Sequence, residues 1–175
     1  MIYIAYNRLG SPGMSVQGNS VEDRLLKLQL RLAQLEKQES CRENFLDFVG
    51  TMWPDFISGR HHRIIAEKLE RVARGELKRL IINMAPRHTK SEFASFLFPA
   101  WMMGKNPGMK IIQATHTTEL AVNFGRKTKN LIDSDEFKTV FPEVKLAADS
   151  KASGRWDTSR GGMYYAVGVG SNLAG

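Results

Sequence analysis

Leu25, Leu28, Leu32 and Leu35 recur at spacings of three, four and three, the stripe of an amphipathic helix. Ser20 stands where an N-cap belongs, and Glu22 and Asp23 occupy the first turn, where the positive helix end favours acids. The pattern predicts a helix over 20–40 that either pairs with a partner helix as a short coiled coil or packs on its own domain. Between 41 and 58, Phe45, Phe48, Trp53, Phe56 and Ile57 predict a short helix and a turn, with Pro54 as the breaker. His61, Ile65, Leu69 and Val72 share one face of a predicted helix over 61–74, and Gly75 stands at its C-cap. Leu80, Ile81, Ile82 and Met84 form a short apolar run, the pattern of a buried first strand. Phe93, Phe96, Leu97 and Ala100 return to helical spacing, predicting a helix over 91–103 that Pro99 kinks or divides and Gly104 stops. A second strand is predicted over 110–115. Strand, helix, strand at this length reads as a βαβ unit with parallel strands and a right-handed crossover. Thr117 or Thr118 caps a further helix with Leu120, Phe124, Thr128 and Leu131 inward. Phe137, Val140, Phe141 and Pro142 close a short helical segment, and 155–158 with 163–169 alternate as a hairpin around the Ser159–Gly162 turn.

Composition narrows this only a little. A chain of 175 residues that is 42% hydrophobic and 25% charged can bury one substantial core. The formal net charge of +7 suits a polyanionic partner without identifying one. The excess is dense between Gly59 and Arg79, where seven Lys or Arg face three Glu. A nucleic-acid contact and a solvated helix face both fit that density. The single cysteine, Cys41, excludes an internal disulfide framework and a cysteine-rich zinc site, which points to a reduced, intracellular setting. His61 and His62 lack a second His or acid at metal-ligand spacing. No run approaches the roughly 18 apolar residues of a membrane helix, and Ile2–Tyr6 is too short for a signal-peptide core. Residues 1–19 are rich in loop formers. Met14 looks the more natural start, so the stretch is expected to be unstructured or to reflect a misassigned start codon.

The candidate chemistry lies between the first predicted strand and the helix after it. Ala85, Pro86, Arg87, His88, Thr89, Lys90 and Ser91 join them. A Lys-Ser pair at a strand-to-helix junction suggests a phosphate cradle. Loop amides and the positive helix end face the anion, lysine reaches the outer phosphates, and the hydroxyl is placed for Mg²⁺. The P-loop pattern G-x-x-x-x-G-K-[ST] would put glycines at 84 and 89, where this chain has Met84 and Thr89. An ordinary strand-to-helix turn with a solvated lysine fits the same residues.

Met84-Ala85-Pro86-Arg87-His88-Thr89-Lys90-Ser91 resembles the variant Walker A loop of tailed-phage terminase large subunits, whose usual form is close to M-P-P-R-H-G-K-S. Further stretches resemble that family: Asn44–Phe48, Met52–Pro54, Gly59–His62, Phe98–Trp101, Ala114–Thr117 and Tyr164–Gly170. The resemblance covers 41–175. Ala85 replaces the usual proline and Thr89 the usual glycine. A β-branched residue resists positive φ, so a differently curled loop or weaker phosphate binding is expected at Thr89.

What the resemblance implies is an α/β fold, a partial P-loop NTPase with a parallel sheet flanked by helices. An N-terminal helix (20–40) precedes an incomplete ATPase domain (41–175) that stops before the acidic Walker B strand. The chain is then the front part of a longer protein or a truncated gene product, with Walker B and nuclease residues elsewhere. The implied cofactors are ATP and Mg²⁺. The loop from Ala85 to Ser91 would bind the phosphates. Lys90 and Arg87 would be catalytic, with Arg87 sensing or stabilising the γ-phosphate, and Ser91 would ligate the metal. Trp53–His62 would meet the base; a core aromatic cluster is the other reading of that segment. Thr115 and His116, after the second strand, would touch DNA backbone, with helix capping as the alternative. The whole protein would drive double-stranded DNA into a viral capsid from the host cell cytoplasm. It would act as a homo-oligomer with a portal protein and a small terminase subunit as partners. A helicase-like DNA-dependent ATPase and a non-catalytic DNA- or portal-binding fragment remain open beside it.

Overall fold

The computed structural model describes residues 20–150 and 152–170. The expectations for 1–19, including the start at Met14, fall outside the described residues. The chain divides into two compact units, Met1–Gln34 and Leu35–Gly175. α1 (Val21–Glu43) begins in the first; it is capped by Ser20, whose Oγ accepts from Asp23 N at 3.1 Å, and runs three residues past the predicted end. Leu25, Leu28 and Leu32 on it are exposed.

The second unit is built around aromatic rings. α2 (Phe45–Met52) is capped by Asn44, which accepts from Leu46 N and Asp47 N, and buries Phe45, Phe48 and Val49. Phe45 meets Phe93, Phe98 and Trp101 at centroid distances of 5.4 to 5.7 Å, two of the three edge to face. Phe48 meets Phe137 and Phe141 at about 6 Å. Such pairs add to burial because ring edges and faces carry opposite partial charge. The Trp101 Nε1–H is satisfied by the Cys41 carbonyl at 2.9 Å. α3 (Arg60–Ala73) follows Gly59 and ends, as the sequence predicts, just before Gly75 at φ 75°. Its buried face holds His62, Ile65, Ala66 and Leu69, so His62 rather than His61 turns inward. Part of the basic density here is a solvated face: Lys68 pairs with Glu67, Arg71 with Glu76, and Arg74 with Glu70 and Glu76.

The sheet has three strands in the order β1-β3-β2: β1 (Lys110–Thr115), β2 (Arg155–Asp157) and β3 (Met163–Gly168). β1 and β3 run parallel, Lys110 opposite Met163 and Thr115 opposite Gly168. β2 and β3 form the predicted hairpin, with Trp156 stacked on Tyr164 at 5.0 Å. α5 (Thr118–Asp133) and α6 (Asp135–Val140) make the crossover, and α5 packs on β1 and β3. α5 keeps Thr128 of the predicted inner face buried and Leu131 packed on the core, but its most buried line is Ala121, Gly125, Thr128 and Ile132, with Leu120 exposed, because small residues at 121 and 125 let the helix approach the sheet. A Cβ on Gly125 would lie 2.5 Å from the Ser153 carbonyl oxygen.

The first predicted strand is not one. Leu80–Met84 lies in no helix and no ladder, and the sheet that forms does not include it. Its residues alternate as a strand's do, Leu80, Ile82 and Met84 half-buried against the core, Ile81 and Asn83 exposed. What is missing is a neighbour. A ladder needs a second backbone in reach, and among the described residues β1 takes β3 instead. The parallel pair therefore exists, but between different strands from those of the predicted βαβ unit. The helix after the loop also differs. Glu92–Leu97 is wound wide, with Phe98 N bonding Phe93 O five residues back, and α4 (Phe98–Lys105) continues it. Pro99 supplies the cause, since it has no N–H and its ring would strike the carbonyl four residues earlier in a regular turn.

Candidate functional site

The loop joins the extended segment to this helix. Two of its residues have positive φ: Arg87 at 64° and Thr89 at 58°. Left-handed residues one apart turn successive amides toward a common side, the concave nest that receives anions. For arginine this conformation is uncommon. For a β-branched threonine it is an outlier that persists only where the surroundings impose it. The expected resistance at Thr89 is therefore overcome: the threonine stands at a φ that glycine adopts without steric cost.

Three contacts impose it. Gly59 N–H donates to His62 Nδ1 at 2.9 Å, which makes Nδ1 an acceptor and leaves the ring proton on Nε2. Nε2–H donates to Thr89 Oγ1 at 2.7 Å. The Thr89 hydroxyl then donates to the His88 carbonyl, also at 2.7 Å. His88 Nδ1 in turn donates to the Pro86 carbonyl at 2.9 Å, closing the outer part of the loop on itself. His62 is only 6% exposed, stacked on Phe93 at 5.1 Å and edge-on to Phe56 at 4.8 Å. Burial first, and then the neighbouring His61 and His88, hold its imidazole below the ordinary histidine value, so it is neutral near pH 7.

The helix begins where the loop ends. Its first backbone bond runs from Phe93 N to Thr89 O at 3.0 Å, so the amides just before Phe93 have no carbonyl a turn behind them. Lys90 is half-buried at this point; Arg87 and Ser91 are exposed. Among the described residues none of these three side chains is tied up in a hydrogen bond or ion pair. Glu92, the acid in the same turn, is engaged by Lys127 at 2.9 Å. A cleft of about 270 Å³ runs beside the extended segment, between it and α3, lined by His61, Ile64, Lys68, Ile81 and Met84 among others.

The other candidates sit as follows. Trp53 and Phe56 are half-buried with rings 5.5 Å apart, and Phe56 reaches both His62 and Phe93. The segment read for base contact is thus joined to the loop through an aromatic cluster. Thr115 ends β1, its hydroxyl donating to the Thr117 carbonyl at 2.7 Å, while Thr117 caps α5 by accepting from Leu120 N. His116 is exposed beside them. Sequence reasoning missed the part played by His62. The signal was present: a β-branched residue at a glycine position needs a tether, and a histidine three residues after a glycine at a helix start supplies one.

No helix among the described residues is long and apolar enough to cross a membrane. Comparison of the chain with protein families, with curated proteins and with solved structures finds no match.

Proposed function

We propose that this chain carries the nucleotide-binding loop of a viral DNA-packaging ATPase of the terminase large-subunit kind. In this reading it belongs to a P-loop ATPase domain, and the parent protein couples ATP hydrolysis to movement of double-stranded DNA into a capsid. It works in the host cytoplasm, as a homo-oligomer, with portal protein and small terminase subunit. The observation that carries the reading is the left-handed pair Arg87 and Thr89, placed directly before a helix that opens with Lys90 and Ser91. A non-glycine residue held at positive φ is costly and needs a reason; an anion-receiving backbone gives one.

The residues present fit a nucleotide polyphosphate with Mg²⁺. The amides from Arg87 to Lys90 would cradle the β- and γ-phosphates, with Ala85, Pro86 and His88 shaping the loop. Lys90 would neutralise them, and the unengaged Ser91 hydroxyl would hold the metal, which would offset phosphate charge. Arg87, exposed and without an ion pair among the described residues, would act on the γ-phosphate. Thr115 and His116 are proposed for DNA backbone, and the Trp53–His62 segment for the base. Loss of a charge-assisted hydrogen bond costs about 1.5–3 kcal/mol. Lys90→Ala is therefore expected to weaken Mg-ATP binding by roughly ten- to a hundredfold in a calorimetric titration. Arg87→Ala should leave binding within about threefold, and lose hydrolysis in the parent protein by powers of ten. Absence of saturable Mg-ATP binding by the unmodified chain would overturn the reading.

A further inference from the structure

We infer that His62 is a positioning residue for this loop: through Thr89 it holds the backbone in the anion-receiving conformation, and only as the neutral Nε2–H tautomer. The inference rests on the phosphate-loop reading above and deepens it by naming what replaces the glycine. The chain of bonds has one polarity. Gly59 N–H needs an acceptor at Nδ1, and Thr89 Oγ1 receives Nε2–H because its own proton goes to the His88 carbonyl. Protonation of His62 places a second proton on Nδ1, donor against donor at Gly59. The ring that turns away from Gly59 to relieve that clash carries Nε2–H away from Thr89 Oγ1, and Thr89 loses the contact that offsets its strain.

The charges that act on His62 are His61 on its own helix and His88 in the loop; what packs on it from the segment after α2 and from the helix after the loop are the uncharged rings of Phe56 and Phe93. All three influences on its proton favour the neutral ring. The sign follows. The loop is held above the ordinary histidine value of 6.5 and is released as pH falls below it, through the lowered value in the folded chain.

The test uses the whole chain and tripolyphosphate as probe. A charged histidine near an anion raises affinity as pH falls, so wild type is read against Thr89→Gly at each pH, where that term and the probe's own titration cancel. Glycine takes positive φ without a tether. From pH 7.5 to 5.5, wild-type affinity should drop relative to Thr89→Gly, by at most about tenfold, which corresponds to about 1.4 kcal/mol. At pH 7.5, His62→Phe, which fills the slot between Phe56 and Phe93, should weaken binding about tenfold in the wild-type loop and leave the Thr89→Gly loop unchanged. His62→Gln, which keeps an acceptor and a donor but does not titrate, should restore binding and flatten the ratio. A flat wild-type ratio, or an equal loss in both backgrounds, would overturn the inference and make His62 a packing residue. The ligand-free readout is ¹⁵N NMR of the His62 ring. A protonated Nδ1 in the neutral form overturns the inference whatever the binding data show. If no variant binds tripolyphosphate, the phosphate-loop reading fails; a proton on Nε2 still supports His62 as the tether of Thr89.

Discussion

Leu80–Met84 and Met163–Gly168 are both short apolar runs that open with inward and outward residues in alternation, which β3 gives up at Val167 and Gly168, both buried, and they end in opposite situations. β3 is bonded on both sides, parallel to β1 and antiparallel to β2, with Tyr164 stacked on Trp156 and fully buried. The segment ahead of the loop turns Leu80, Ile82 and Met84 to the core and joins no ladder, and Ile81 is 85% exposed. Alternation thus decides which side chains face the core. It does not supply a neighbour, and a backbone without one leaves its polar groups to water. The consequence for function is that the sheet is fixed by many shared contacts, whereas the candidate loop is fixed by a few bonds through His62.

The largest expected effect tests the fixed half. Trp156 is completely buried, its Nε1–H donating to the Gly125 carbonyl at 3.2 Å. Trp156→Ala should cost about 3–5 kcal/mol in chemical denaturation, through the lost transfer energy and the cavity left behind. The same truncation at Ile81 should move stability by less than about 0.5 kcal/mol, since that side chain is already in water. Comparable losses at the two sites would erase the contrast.

A smaller structural difference is visible in backbone protection. The amides of Tyr164–Val167 should exchange with solvent slowly, limited by global or near-global opening. Those of Ile81–Met84 should exchange close to the rate of an unstructured chain. Protection of the second group to the level of the first, in hydrogen-exchange mass spectrometry or NMR, would mean that the segment has found a strand partner in solution.

How far the sequence foretold this molecule follows the same division. The helices were legible because their signals are local: Ser20 and Thr117 cap where predicted, Gly75 takes the left-handed C-terminal position, and Pro54 follows the end of α2. The β2–β3 hairpin was legible because its turn lies within it. The ladder was not, because pairing is decided by strands fifty residues apart, and the apolar run at 80–84 fits a strand with or without a partner. The buried face of α5 was read correctly at Thr128 and missed at Leu120, because close approach to the sheet selected Gly125 and Ala121 rather than the larger apolar residues beside them. At the candidate site, Lys90 and Ser91 stand out from their order in the sequence alone, and Arg87 only through the resemblance to the terminase loop. Thr89 could be flagged as a departure, but the side chain that tolerates it, His62, lies 27 residues away and on another element.

The finest effect reads the strain in the loop by a reversal of sign. At an ordinary position valine is preferred to glycine, because glycine surrenders about 0.5–1 kcal/mol more backbone entropy on folding. Thr89→Val and Thr89→Gly both remove the hydroxyl, so both leave the buried His62 Nε2–H without its acceptor, a loss of about 1–3 kcal/mol common to the pair. They differ in what they do at φ 58°. Valine keeps the β-branch and the left-handed penalty of about 1–2 kcal/mol, with its tether gone; glycine removes the penalty. Thr89→Gly should therefore be the more stable of the two by up to about 1 kcal/mol, against the usual order. Denaturation midpoints of the two variants, compared at pH 7.5 where His62 is neutral in both, decide it. If Thr89→Val proves the more stable, the positive φ is not imposed on Thr89 in solution, and the loop is as free to rearrange as the unpaired segment that leads into it.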